Sequence, residues 1–134
     1  MTQHNFRPEI LWAVDAAQDK QAGDITVLRL ADAFAEYFML CSGQSAPQLK
    51  AISDAVEERL DRENIRLKHR EGKTGAEWVL LDYGSFVVHI FSERARRYYD
   101  LERLWRTAER VEFPAPERGA KPREEESEGG STGA

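Results

Sequence analysis

The chain is poor in the features that carry most recognisable chemistry. One cysteine, Cys41, stands among 134 residues. No disulfide can therefore close within the chain, and a reducing compartment, the cytoplasm by default, is expected. Cys41 lies inside an apolar stretch, where a buried, inert thiol is expected rather than a nucleophile. No apolar run reaches membrane-spanning length, and the polar start Met1-Thr2-Gln3-His4-Asn5-Phe6-Arg7 does not read as a signal peptide. Asp-x-Asp occurs nowhere. That counts against nucleotidyltransferase chemistry, in which closely spaced carboxylates hold two metal ions. Gly-x-Gly-x-x-Gly is absent too, and Gly72-Lys73-Thr74 is no phosphate loop because Leu67 stands where the leading glycine is required. His4, His69 and His89 have no Cys, His or paired carboxylate at ligand spacing, so neither a metal nor a cofactor is expected. His4 reads as part of a solvated terminus and His69 as an edge-strand surface residue.

An excess of positive charge is also missing. The formal net charge is -5. Setting aside the residues after Phe113, with three basic and five acidic groups, leaves 16 basic and 19 acidic ones. A body that is mildly acidic lacks the character of a general nucleic-acid binder and suits a basic protein partner.

What the chain does have is a hairpin. In Glu77–Phe91, two runs of strand-favouring residues flank Gly84-Ser85, a loop whose glycine accepts positive φ. This register pairs Tyr83 with Phe86, Leu81 with Val88 and Val79 with Ile90, and those six form a core face. The opposite face carries Trp78, Leu80 and Asp82 against Val87, His89 and Phe91. Two readings of that second face stay open. It is either covered, with Asp82 and His89 at solvated ends, or a half-open apolar surface with polar anchors, which suits protein binding. Asp82 and His89 could also form a hydrogen-bonded acid–base pair, with Ser85 near, though no activated nucleophile is obvious.

Elsewhere the spacing predicts a first helix over residues 8–20 with Gly23 near its C-cap, then a strand at Ile25–Leu30 covered on both faces. A second strand follows at Tyr37–Cys41. Ser45 with Gln48 forms a capping box for a second helix whose buried stripe is Leu49, Ile52, Val56 and Leu60. Ile65–His69 alternates like an edge strand. Ser92 caps a third helix in which Tyr98, Leu101 and Trp105 share a face and Glu102 pairs with Arg106. The arginines there alternate with Glu93, Asp100, Glu102, Glu109 and Glu112, so they read as a salt-bridged solvated face and not as a dedicated nucleic-acid site. From Pro114 on, Pro, Glu, Gly and Ser dominate, and this tail is expected to be disordered. The whole implies an α/β fold, a mixed sheet of about five strands flanked by helices, within one domain over residues 1–113. The link through the second helix would join parallel neighbours.

Several blocks in order carry a resemblance. Asp24-Ile25, Tyr37–Gly43, Glu71-Gly72, Trp78–Gly84, Val88–Phe91 and Arg97–Trp105 together resemble the ribosomal silencing factor S family, also called Iojap, from about Pro8 to Trp105. The resemblance implies a nucleotidyltransferase-like fold without the active site, and a non-enzymatic translational repressor. It implies binding to the large ribosomal subunit through large-subunit ribosomal protein fourteen, blocked subunit joining when nutrients are short, and self-association as a dimer when free. Carried onto matching positions, the implied binding residues are Trp78, Asp82, Tyr83, Gly84, Tyr99, Leu101, Glu102 and Trp105. Trp78 and Trp105 would be aromatic anchors, Asp82 and Glu102 would meet cations of the partner, and Gly84 would permit close approach. A nucleotidyltransferase-type enzyme and a generic dimeric interaction module remain the alternatives.

Overall fold

Three covered strands at the centre of the sheet explain most of the architecture. The computed structural model describes residues 6–30, 35–72 and 75–113. The expected solvated His4 and disordered tail lie outside them. In chain order the elements are α1 (Pro8–Asp19), β1 (Gly23–Arg29), β2 (Tyr37–Gly43), α2 (Ala46–Arg62), β3 (His69–Glu71), β4 (Trp78–Asp82), β5 (Phe86–Ser92), α3 (Glu93–Tyr99), α4 (Leu101–Leu104) and β6 (Glu109–Phe113). They build a six-stranded mixed sheet in the order β3-β4-β5-β2-β1-β6. Only β2 and β5 run parallel. The parallel neighbour of β2 is therefore reached through α2, β3 and β4 together.

The strands interior to the sheet read as near-continuous apolar runs because both faces are covered. All seven residues of β2 are buried, as are Ile25–Leu28 of β1. On one face α1 and α2 pack against Ile25, Val27, Met39, Cys41, Val79, Leu81, Val88 and Ile90. Leu49, Ile52, Val56 and Leu60 of α2 are all buried there, as their 3.6-residue spacing predicts. Each such aliphatic side chain contributes about 1.5–3 kcal/mol on burial. Ser45 caps α2 by accepting from the Gln48 amide at 3.2 Å. Gln48 does not complete a reciprocal box. Its side chain instead accepts from the Gln44 amide and donates to the carbonyls of Lys20 and Gln21, tying α2 to the end of α1. Cys41 lies in this core, and burial pushes its thiol up to about 12.

Among the described residues, the helical cover of the second face is the short α3–α4 segment. Its core is Leu28, Leu30, Phe38, Leu40, Val87, Phe91 and Ala95, with Trp78, Leu80, Leu101 and Trp105 packed half-buried at its margin. Ser92 accepts from the Ala95 amide at 3.0 Å and starts α3 as expected.

Four expectations are corrected. The edge strand is His69–Glu71 rather than Ile65–His69. Ile65 and Leu67 turn into the core beside α2, and pairing to β4 begins only at Lys68, whose amide donates to the Asp82 carbonyl at 2.9 Å. Gly23 opens β1 instead of capping α1. The chain leaves α1 at Lys20, with Gln21 in the left-handed region at φ 63. The last helix is broken at Asp100, whose φ of 48 and ψ of 54 end α3 and restart the chain as α4. A sixth strand, β6, pairs with β1 and extends the sheet beyond the about five strands expected.

Candidate partner-binding face

The β4–β5 hairpin has the register that its sequence predicts. Trp78 opposes Phe91, Leu80 opposes His89 and Asp82 opposes Val87. The Tyr83 amide donates to the Phe86 carbonyl at 2.9 Å, closing the turn over Gly84 at φ 91. Alternation then divides the side chains. Trp78, Leu80 and Asp82 fall in line on the second face beside Val87, His89 and Phe91, while Tyr83 falls on the helix-covered face.

Trp78 is the centre of an aromatic relay. Its indole Nε1 donates to His89 Nδ1 at 3.1 Å, a diagonal cross-strand contact. Its ring lies 5.0 Å from Phe91 and 4.5 Å from Tyr99. Phe38 of β2 meets the His89 ring at 4.5 Å and Trp105 at 5.7 Å. Tyr98 sits edge-on to Tyr99 at 5.0 Å. One continuous band of rings thus runs from Tyr98 on α3 across the sheet to Trp105. Since Nδ1 accepts, the His89 proton is on Nε2, which is buried without a hydrogen-bond partner among the described residues. Burial holds the imidazole down to about 4, so it is neutral at physiological pH. His89 is 4% exposed and belongs to this aromatic packing, not to an acid–base pair. Asp82 turns away from it and accepts from the Gly84 amide at 2.8 Å, bracing the turn.

The implied binding residues divide in the structure. Trp78, Tyr99, Leu101 and Trp105 come together along the edge of the second core, each with part of its surface open. Tyr99 is 46% exposed, and Tyr98 and Leu104 beside it are 80% and 73% exposed. Asp82 and Gly84 lie at the far end of β4, half-buried, with Gly84 covered by Lys68. Tyr83 is only 5% exposed and stacks on Phe86 at 5.0 Å in the opposite core. Burial raises its phenol, whose oxygen has no hydrogen-bond partner among the described residues. Glu102 accepts from Arg96 at 3.0 and 3.1 Å and meets Arg110 at 3.2 Å; Arg106 is not its partner. The Arg96 hydrogen bonds hold its carboxylate below the usual range. Through the same Arg96, bonded also to Ser42 and Thr26 at 3.0 and 3.2 Å, Glu102 clamps the α3–α4 segment onto the sheet.

Sequence reasoning placed His89 on this face but missed its hydrogen bond with Trp78, and it missed Phe38 altogether. For His89 a signal existed, because the hairpin register already placed it diagonal to Trp78. Phe38 joins only through the parallel pairing of β2 with β5, which no local pattern reveals. Among the described residues, no group of three His, Cys, Asp or Glu side chains is gathered as a metal site would need. No helix among them is long and apolar enough to cross a membrane.

Comparison with known proteins adds a family. Residues 3–133 match the family described as ribosomal silencing factor during starvation. The chain is 41% identical over 95 residues to ribosomal silencing factor RsfS of Bacillus subtilis, spanning 69% of this chain and 80% of that protein. It is 30% identical over 100 residues to the chloroplastic Iojap protein of Arabidopsis thaliana, spanning 73% of this chain and 42% of that one. A crystal structure from Bacillus halodurans superposes with a TM-score of 0.70 at 36% identity, over 80% of this chain and all of that one. One from Chromobacterium violaceum gives 0.71 at 27% identity, over 90% and 98%.

Proposed function

The chain belongs to the ribosomal silencing factor family, and from that premise we propose that it binds the large ribosomal subunit through large-subunit ribosomal protein fourteen and sterically blocks joining of the small subunit. Its effect is to lower translation under nutrient limitation, in the cytoplasm, with a second copy of the chain as its partner when free. The observation that supports this reading is the half-open aromatic band of the second sheet face. A fixed row of rings with apolar edges and a polar rim is what a protein-docking surface requires.

Roles follow from the geometry. Trp78 and Trp105 are anchors at either side of the band, each held by ring contacts that spare it ordering entropy on docking. Tyr99 and Leu101 extend the apolar surface between them. Asp82 keeps one carboxylate oxygen free of the turn and offers it to a basic partner. Tyr83, Gly84 and Glu102 act from behind: the first two hold the hairpin tip and the third holds α3–α4 in place.

Sedimentation tests this. Added to dissociated subunits during reassociation, the chain should leave separate large and small particles where the untreated sample reassociates. No shift at several-fold excess would refute the reading. Binding of a nucleoside triphosphate with magnesium would favour an enzyme in its place.

A further inference from the structure

Three arginines on and just after the α3–α4 segment have no carboxylate partner among the described residues. Arg94 is held by Glu77, and Arg96 and Arg110 are held by Glu102. Glu109 is taken by Arg29. Arg97, Arg103 and Arg106 form no ion pair among the described residues, contrary to the interleaved pattern of their sequence. The break at Asp100 brings them together. They line one open cleft of about 650 Å³ at the α3–α4 elbow, with Asp100 the one carboxylate in it. On a chain of net charge -5, this is a local reversal of sign.

The same cleft presents Tyr98 and Leu104, the two most exposed large apolar side chains of the described residues. Tyr99 is engaged by Trp78, and Tyr98 stands edge-on to it at 89°, leaving the Tyr98 ring open to solvent. Planar guanidinium forks match phosphate oxygens two at a time, and an exposed ring offers a face on which any base can stack. An acidic peptide would use the arginines but has no particular need of the open ring.

We propose that the α3–α4 elbow contacts single-stranded RNA on the large subunit, Arg97, Arg103 and Arg106 taking backbone phosphates while Tyr98 stacks on an unpaired base. The proposal rests on large-subunit binding as argued above. It adds to the protein-docking band a second contact beside it, of different chemistry and strong salt dependence.

The test titrates large subunits with wild-type chain and with an Arg97→Ala, Arg103→Ala, Arg106→Ala triple variant at several salt concentrations. Losing three phosphate contacts should flatten the log–log salt slope by about 2, at roughly 0.7 per phosphate for single strands. Affinity near physiological salt should fall about tenfold or more, with unchanged circular dichroism. Tyr98→Phe should bind as wild type, and Tyr98→Ala more weakly. Ultraviolet cross-linking should join the elbow to an RNA fragment. An unchanged slope, or a cross-link to protein alone, overturns the proposal; the latter assigns the elbow to an acidic peptide. A labelled oligouridine of roughly twelve nucleotides separates the two readings. If the wild type binds it but not the triple variant, while neither binds subunits, the RNA site stands and subunit docking falls. Subunit binding with no loss in the triple variant does the reverse, and binding of neither ligand defeats both.

Discussion

Replacing His89 by glutamine should remove an acid sensitivity from the fold without removing the hydrogen bond that steadies Trp78. Glutamine retains an oxygen acceptor for the indole N–H and does not titrate. In the wild type, the imidazole falls from its ordinary 6.5 to about 4 because burial penalises its charged form. A group whose folded pKa is depressed in this way binds its proton more readily when unfolded. Acid therefore favours unfolding between the two values, and the effect levels off below the lower one. At about 1.4 kcal/mol per unit, the full penalty is about 3.5 kcal/mol, of which about 2 has accumulated by pH 5. Urea unfolding of wild type and His89→Gln at pH 7 and pH 5 measures it. The wild type should lose about 2 kcal/mol more than the variant over that step, and contributions from every other titrating group cancel in the difference. Trp78 emission of the folded wild type should hold over that step and shift only as pH falls through about 4, where a protonated Nδ1 can no longer accept the indole N–H. Parallel stability losses in the two proteins would refute the buried neutral imidazole.

Other substitutions probe the parts that hold the face in place. Gly72→Ala places a Cβ 2.7 Å from the Trp78 carbonyl oxygen at φ 104, where only backbone movement gives relief. A loss of about 2–3 kcal/mol, seen as a lower melting temperature, is expected. Gly84→Ala at φ 91 meets only the movable end of Lys68 and should cost about 1–2 kcal/mol. Glu102→Gln leaves Arg96, 11% exposed, without its counterion. Discounted for partial solvation, the loss at pH 7 should be about 1–2 kcal/mol. Because the folded pKa of Glu102 is lowered, its contribution is present above the ordinary carboxylate range and disappears as pH falls through the folded value. Paired denaturation curves should therefore converge in acid. Trp78→Ala with Trp105→Ala should weaken large-subunit binding by more than about 1 kcal/mol, roughly fivefold, with circular dichroism retained. Loss of folding would show instead that the rings serve only the core.

How far the sequence carried depends on how local each feature is. The hairpin register was legible because a two-residue loop and strict alternation leave one pairing that keeps Val79, Leu81, Tyr83, Phe86, Val88 and Ile90 together. Helix α2 was legible because a cap and a 3.6-residue stripe agree. Strand β6 was not. Glu109-Arg110-Val111-Glu112-Phe113 has no strong strand preference, and pairing to the edge of β1 decides its state. The run Tyr98–Trp105 read as one helix face because nothing in its spacing signals a left-handed residue at Asp100, and that break is what exposes Tyr98 and Leu104. Ion pairing followed the same rule. Glu102 was assigned its helical neighbour Arg106, yet its partners Arg96 and Arg110 come from across the fold break and from the edge strand. Tyr83 was placed on the core face by alternation and on the binding surface by resemblance; alternation describes its position.

The central claim is that the aromatic band between Trp78 and Trp105 is the surface applied to the large subunit. An electron cryo-microscopy map of the chain bound to large subunits tests it most directly. The account predicts this band seated on large-subunit ribosomal protein fourteen, with the body of the chain standing where the small subunit would pack. A map in which the band faces solvent while α1 and α2 make the contact would contradict it.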